Sequence, residues 1–441
     1  MNGLTWFVLA VLWWAAAAIT ARAAPDGWPS ALLYASALGW TYLTAWRLAG
    51  AWAADARQTF KAVTLTAVIL AAVGLLEIGA AARWVDYRRI RSALIGAEGP
   101  NDFVEDAALS FRRPPHVRWT GWPLTDMASL YNLPYRVDRP MTFSTDSRGF
   151  RNRTELSEAA IALLGDSYVE GWALSDDETV SVRLAERTGV PVANLGTAGY
   201  GSLQELRVLR RYAFPLHPRL VALFYFEGND LDDDQAFENA MAFHADPHQP
   251  AGPPPPASRR WREFVDRSFT RTAFLELRRL TNALVPNGTN HYAWFRDRQG
   301  VDHRMYFYDF YATRALGDYE RSRLRVTEAA LAEAAAECRR RGIDLVVVFV
   351  PIKFRVYRDA VRFPPESPCA AWQPWDLESE LERSCARAGV EFISLTDPMR
   401  RAAERGELLY LPADSHWNAA GAAFAAERVA EYWRSLPAGR R

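Results

Sequence analysis

Four short stretches carry residue types and spacings that suit acyl transfer. ALLGDSYVEGW (162–172) ends an apolar run in Gly165-Asp166-Ser167, and Gly171 follows four residues after the Ser. NLGTAGYG (194–201) contains Asn194, Gly196 and Gly199. The run LVALFYFEGND (220–230) ends in Glu227-Gly228-Asn229-Asp230, and ADSHWNAAG (413–421) sets Asp414 two residues before His416. A hydroxyl nucleophile needs a base within hydrogen-bond reach, and the base needs an acceptor to orient it. The developing oxyanion needs fixed donors. Ser167 supplies a hydroxyl, His416 a base and Asp414 an orienting carboxylate. Gly199 can bring a backbone N–H close because no side chain obstructs it. Gly196 remains an alternative to it, and Asn229 offers an amide. Taken alone, Ser167 is an ordinary helix cap, since Ser commonly precedes a helix.

These residues need elements that bring them to one place. AAIALLG (159–165), VPVANLG (190–196), LVALFYF (220–226), IDLVVVFVP (343–351) and VEFISL (390–395) are short apolar runs, as expected of buried parallel strands. Segments of helical spacing alternate with them: 179–189, 202–214, 327–342, 375–389 and 418–436. This alternation predicts an α/β fold with a parallel sheet covered on both faces. Ligands bind such sheets at the carboxyl ends of the strands, where the four stretches fall. Lys353, just after VVVFVPI, belongs either at the edge of that site or on the surface.

GDS with a following Gly, NxxxxG, GND and a C-terminal Asp/His pair, in that order, resemble blocks I, II, III and V of the SGNH (GDSL-like) hydrolase superfamily. The resemblance spans roughly residues 159 to 435. It implies a three-layer α/β/α sandwich, flavodoxin-like in its sheet, and ester hydrolysis or acyl transfer. It implies Ser167 as nucleophile, Asp414 and His416 as the rest of a triad, and Ser167, Gly199 and Asn229 as oxyanion donors. The family's usual fifth block is DxxH. Here Asp414-Ser415-His416-Trp417 reads DxHW, which resembles SGNH-like proteins of the alginate-acetylation type. That likeness directs the substrate expectation towards O-acetylated polysaccharide.

The remaining sequence sets the context. Lys+Arg and Asp+Glu both number 52, so no global field favours nucleic acid. Three near-uncharged runs, at about 4–21, 28–46 and 62–82, suggest two or three transmembrane helices within residues 1–82. A membrane-proximal lead-in broken by prolines is expected over 83–158, then the hydrolase-like domain over 159–435. An insertion at about 231–325 interrupts that domain. The expected location is a bacterial plasma membrane, multi-pass, with the catalytic domain outside the cytoplasm. Cys338, Cys369 and Cys385 form no CxxC motif, and either Cys369 pairs with Cys385 or all three are buried thiols. His244, Asp246 and His248 have ligand-like spacing, but Pro247 and Pro250 interrupt any helix there, so a solvated loop is expected.

The expectation is a membrane-anchored serine esterase or O-acyltransferase, with no cofactor and no metal. Its partners would be an ester or O-acetylated carbohydrate, membrane lipid and a membrane acyl donor. A non-catalytic glycan-binding or assembly subunit and a lipid-directed esterase are the alternatives.

Overall fold

The computed structural model describes residues 56–87, 90, 103–123, 125–127, 139–244, 264–265, 267–284, 290–310 and 313–440. The chain divides into two compact units: residues 1–95 with 247–280, and residues 96–246 with 281–441.

The second unit is built on a five-stranded parallel sheet. Its strands are β1 (Ile161–Leu164), β2 (Val192–Asn194), β3 (Leu220–Phe226), β4 (Asp344–Val350) and β5 (Glu391–Ser394), in spatial order 2-1-3-4-5. This is the flavodoxin-like order of a doubly wound sheet. β3 matches its apolar run, and the other four strands are shorter than theirs at one or both ends. β1, β2 and β3 are buried along their whole length, as strands covered on both faces must be. The register sets Ile161 beside Val192 and Leu220, and Leu220 beside Asp344. The carboxyl ends of β1 to β4 therefore emerge at one edge.

Helices connect the strands: α1 (Ser167–Glu170), α2 (Val180–Thr188), α3 (Ser202–Val208), α4 (Asp230–His244), α5 (Asp318–Arg340), α6 (Leu377–Ala388) and α7 (Ala419–Ser435). α2 stops at Gly189, which takes the left-handed conformation (φ 70°). α7 starts at Asn418, whose Oδ1 accepts the Ala420 and Gly421 N–H groups at 2.9 and 3.0 Å. α5 begins nine residues before the expected helix, since Glu320 Oε2 accepts the Gly317 N–H at 2.8 Å and fixes the earlier start. Within the expected insertion lie α4 and a hairpin of strands Tyr292–Arg296 and Asp302–Tyr306, paired on its other side with Val361–Arg362. His244 closes α4; Asp246 and His248 lie outside the described residues.

The membrane expectation requires correction. No helix among the described residues is long and apolar enough to cross a membrane. The runs at about 4–21 and 28–46 lie outside the described residues. The third run belongs to a helix, Ala56–Ala81, in the first unit. Its apolar run is interrupted by Glu77, whose carboxylate accepts the Thr270 N–H at 2.7 Å, at the start of helix Phe269–Leu284. An ionisable group committed to a neighbouring helix end is costly inside hydrocarbon. The multi-pass placement in a plasma membrane is withdrawn, and the external placement that rested on it goes too. The cysteines are also decided: all three are unpaired and buried, and burial pushes each thiol up to about 12.

Candidate active site

The turn that carries Ser167, the expected nucleophile, follows β1 directly. A Cβ at Gly165 would lie 2.5 Å from Val169 Cγ2 and 3.2 Å from Phe224 Cβ, so only glycine lets the chain turn this tightly. Asp166 caps α1, its Oδ1 accepting the Tyr168 N–H at 2.9 Å. The helix ends after one turn at Gly171, left-handed at φ 89°, whose N–H reaches the Ser167 carbonyl at 2.9 Å. Further support comes from the lead-in. Arg113 grips Glu170 with two parallel bonds, Nε–Oε1 at 2.7 Å and Nη2–Oε2 at 2.8 Å, both side chains buried. Arg151 donates to the carbonyls of Glu170, Gly171 and Leu174, the acceptors left over at the end of α1.

The turn that carries His416, the expected base, lies between Leu411 and Trp417. It belongs to no strand or helix, and Tyr410 and Trp417 meet only in an isolated bridge. His416 Nε2 is 2.7 Å from Ser167 Oγ, and His416 Nδ1 is 2.6 Å from Asp414 Oδ1. Asp414 Oδ1 also accepts the His416 N–H at 2.8 Å. The two-residue spacing thus brings one carboxylate oxygen to both the backbone N–H and the ring Nδ1 of His416. The Tyr168 ring packs on the imidazole with centroids 4.9 Å apart, and its hydroxyl donates to the Ser415 carbonyl at 2.7 Å. Tyr168 therefore ties the nucleophile helix to the base turn.

Two ionisable side chains brace the base turn. Lys353, buried after β4, donates from Nζ to the carbonyls of Leu411 (3.0 Å), Pro412 (3.0 Å) and Asp414 (2.7 Å). Asp126, from the lead-in, accepts from Ser415 N–H at 2.9 Å and from Ser415 Oγ, and its own N–H donates to Asp414 Oδ2 at 2.7 Å. Its carboxylate Oδ2 is 3.8 Å from His416 Nδ1. The sequence reading left Lys353 undecided and missed Asp126. A lysine just past a buried strand end is a usable signal. Nothing marks an aspartate in a proline-broken lead-in.

The electrostatics favour proton transfer through His416. Burial opposes the imidazolium, but the Asp414, Asp126 and Asp166 carboxylates outweigh it and raise the His416 pKa to about 8. Burial also works against the Asp414 anion, yet His416 and the surrounding N–H donors hold its pKa below the usual value. Burial, then Asp414, raises Asp126 to about 6; burial lowers Lys353 to about 7 against the pull of Asp126 and Asp414. Ligand atoms of Asp126, Asp414 and His416 also lie within 4.8 Å of one another. An ion there would have to open the 2.6 Å contact between His416 and Asp414.

The expected oxyanion donors are placed as follows. The Gly196 N–H is taken by Asn194 Oδ1 at 3.1 Å, and a Cβ there would meet Glu170 N at 2.6 Å. Asn194 itself is buried and donates to the Val169 carbonyl at 2.7 Å, so it holds α1. Gly199 adopts φ 80°, a left-handed position suited to glycine. Asn229 gives one amide hydrogen to Asp233 Oδ2 at 2.6 Å. Among the described residues neither Gly199 nor Asn229 bonds to Ser167, Asp414 or His416.

The described residues combine a parallel α/β unit with a hydrogen-bonded Ser167–His416–Asp414 chain. Residues 299–440 match the family model "SGNH hydrolase-like domain, acetyltransferase AlgX". That match covers about a third of the chain and likens this part to an SGNH hydrolase-like domain. The match includes Lys353, Asp414 and His416; Ser167 lies before it. Solved structures similar to the chain include a putative acylhydrolase from Bacteroides fragilis, at 11% identity and TM-score 0.31, covering 64% of this chain and 88% of that one. Another is a putative lipolytic protein of the G-D-S-L family from Desulfitobacterium hafniense, at 9% identity and TM-score 0.30, with 62% and 97% covered. A third is a GDSL-like lipase from Bacteroides thetaiotaomicron, at 11% identity and TM-score 0.29, with 62% and 86% covered. Likeness at that level bears on nothing further. No curated protein matches the sequence.

Proposed function

We propose that the chain is a serine esterase or O-acyltransferase acting on ester groups, of which O-acetyl groups of a polysaccharide are the preferred kind. The carrying observation is the unbroken relay Ser167 Oγ to His416 Nε2 (2.7 Å) and His416 Nδ1 to Asp414 Oδ1 (2.6 Å). The acetyl preference is supported by the family description and by the DxHW sequence.

Ser167 Oγ attacks the ester carbonyl carbon while its proton passes to His416 Nε2. Asp414 accepts from Nδ1–H, keeps the ring in the reactive tautomer and stabilises the imidazolium. The oxyanion is received by the N–H groups of Ser167 and Gly199 and by the second amide hydrogen of Asn229. His416 then returns the proton to the departing alkoxide oxygen, leaving acyl-Ser167. Water or a sugar hydroxyl attacks the acyl carbon next, losing its proton to the same nitrogen; the bond to Oγ then breaks and His416 returns that proton to Ser167 Oγ. Hydrolysis and transfer share the first half of this cycle and diverge only in the acceptor.

Labelling with a serine-directed fluorophosphonate, wild type against Ser167→Ala, tests the reading. Labelling of the wild type alone is expected, together with turnover of acetyl esters. Equal labelling of both proteins overturns Ser167 as nucleophile. Labelling of neither folded protein favours the non-catalytic glycan-binding reading.

A further inference from the structure

We propose that Asp126 is a positioning residue for the base: it holds the Asp414–Ser415–His416 turn through Ser415 and sets a second negative charge beside His416 Nδ1. This rests on the acyl-transfer reading of Ser167 and His416. The geometry has two separable parts. Asp126 Oδ1 and Oδ2 accept from Ser415 N–H and Ser415 Oγ, a pair of contacts that a neutral carboxamide could largely reproduce. The charge is a different matter, since Oδ2 lies 3.8 Å from the imidazole Nδ1 that already donates to Asp414. A turn held only for its shape would need no second carboxylate there.

Among the described residues, the groups facing His416 are few. Asp414 belongs to its own turn, Asp126 to the lead-in and Asp166 to the nucleophile turn. The Tyr168 ring covers one face, and the Trp172 ring lies with its centroid 6.0 Å from the imidazole. Lys353 sits beneath the turn, bonded to its carbonyls. Asp126 is thus a carboxylate brought to the base from outside both reacting turns. It keeps 26% of its side chain exposed, so it can exchange protons with solvent.

The sign follows from what the base must do. His416 takes the Ser167 proton only when neutral, so rate rises as pH climbs through its pKa. A nearby anion favours the imidazolium and moves that rise to higher pH. Removing the charge therefore moves it to lower pH. Asp126 itself, raised to about 6 by burial and by Asp414, loses its charge below that pH. The wild-type and variant profiles should converge there.

The experiment measures the fluorophosphonate inactivation rate of the full chain against pH for wild type, Asp126→Asn and Asp126→Glu. The Asn variant should show its acid-side midpoint displaced downward by about one pH unit. The Glu variant should return it towards wild type. Where the Asn variant does not fold, Asp126→Ser is read in the same way. A uniform loss of rate with the midpoint unmoved overturns the proposal and leaves Asp126 a structural residue. Wild-type labelling that survives Ser167→Ala instead overturns the underlying reading, so the two failures are distinguishable.

Discussion

The nucleophile turn and the base turn meet at one hydrogen bond but are built differently. Ser167 stands on a turn with its own architecture: a buried strand, a required Gly165, a capping Asp166, one helical turn and a left-handed Gly171. Each of these lies within a few residues of Ser167. His416 stands on a turn with no strand or helix of its own, held by Lys353, Asp126 and Tyr168 from elsewhere in the chain. Local residues shape the Ser167 turn, and Arg113, Arg151 and Asn194 add support from outside it. Placing the base to within hydrogen-bond distance takes side chains from three other regions.

The largest expected effect tests whether the two turns work as one unit. Asp414→Asn should lower kcat/KM by about 10⁴-fold, because the amide fixes the wrong imidazole tautomer. Combined with Ser167→Ala it should cost little more than the worse single change. Additive losses in a steady-state assay would show that the turns do not act together.

The next effect tests the outside support. Lys353→Met leaves three carbonyls without their donor and should destabilise the fold by about 3 kcal/mol, with a clear drop in turnover. Lys353→Arg should not restore it, since a planar guanidinium cannot replace a compact ammonium in a buried site. Denaturant unfolding beside an acetyl-ester assay reads both. Full activity in the Met variant would show that the base turn holds itself.

Gly165→Ala tests the opposite claim, that the nucleophile turn depends on its own backbone. The added Cβ, 2.5 Å from Val169 Cγ2, should cost about 2 kcal/mol, seen as a lower Tm. An unchanged Tm would mean the turn is looser than its geometry requires. The smallest effect belongs to the tie between the turns. Tyr168→Phe removes one hydrogen bond to the Ser415 carbonyl and should cost about 1 kcal/mol of stability. Across these variants the wild-type reference should gain activity as pH rises through about 8, where His416 becomes neutral. A profile flat from pH 6 to 9 would remove His416 as the base.

The comparison also explains what sequence reading reached. The parallel α/β pattern was legible because buried strands are short apolar runs and the helices between them keep their own period and caps. The candidate residues stood out because Ser167 and Asn229 followed apolar runs and Asp414 and His416 followed in a family-like order. Glycine surroundings were less legible: that the Gly196 N–H is bonded to Asn194 appears only in the folded chain. The membrane expectation failed because an apolar run does not show where its one carboxylate goes, and Glu77 reaches the helix beginning near Thr270.

By itself the sequence determined the strands' order of appearance and the turn at Gly165-Asp166-Ser167, since each depends on residues within about ten positions. Only the tertiary structure decided the support of the base. Asp126 and Asp414 are separated by 288 residues, Lys353 and Asp414 by 61, and no local pattern links them. Hydrogen bonds reach only about 3 Å, so such partners become visible when the chain has packed.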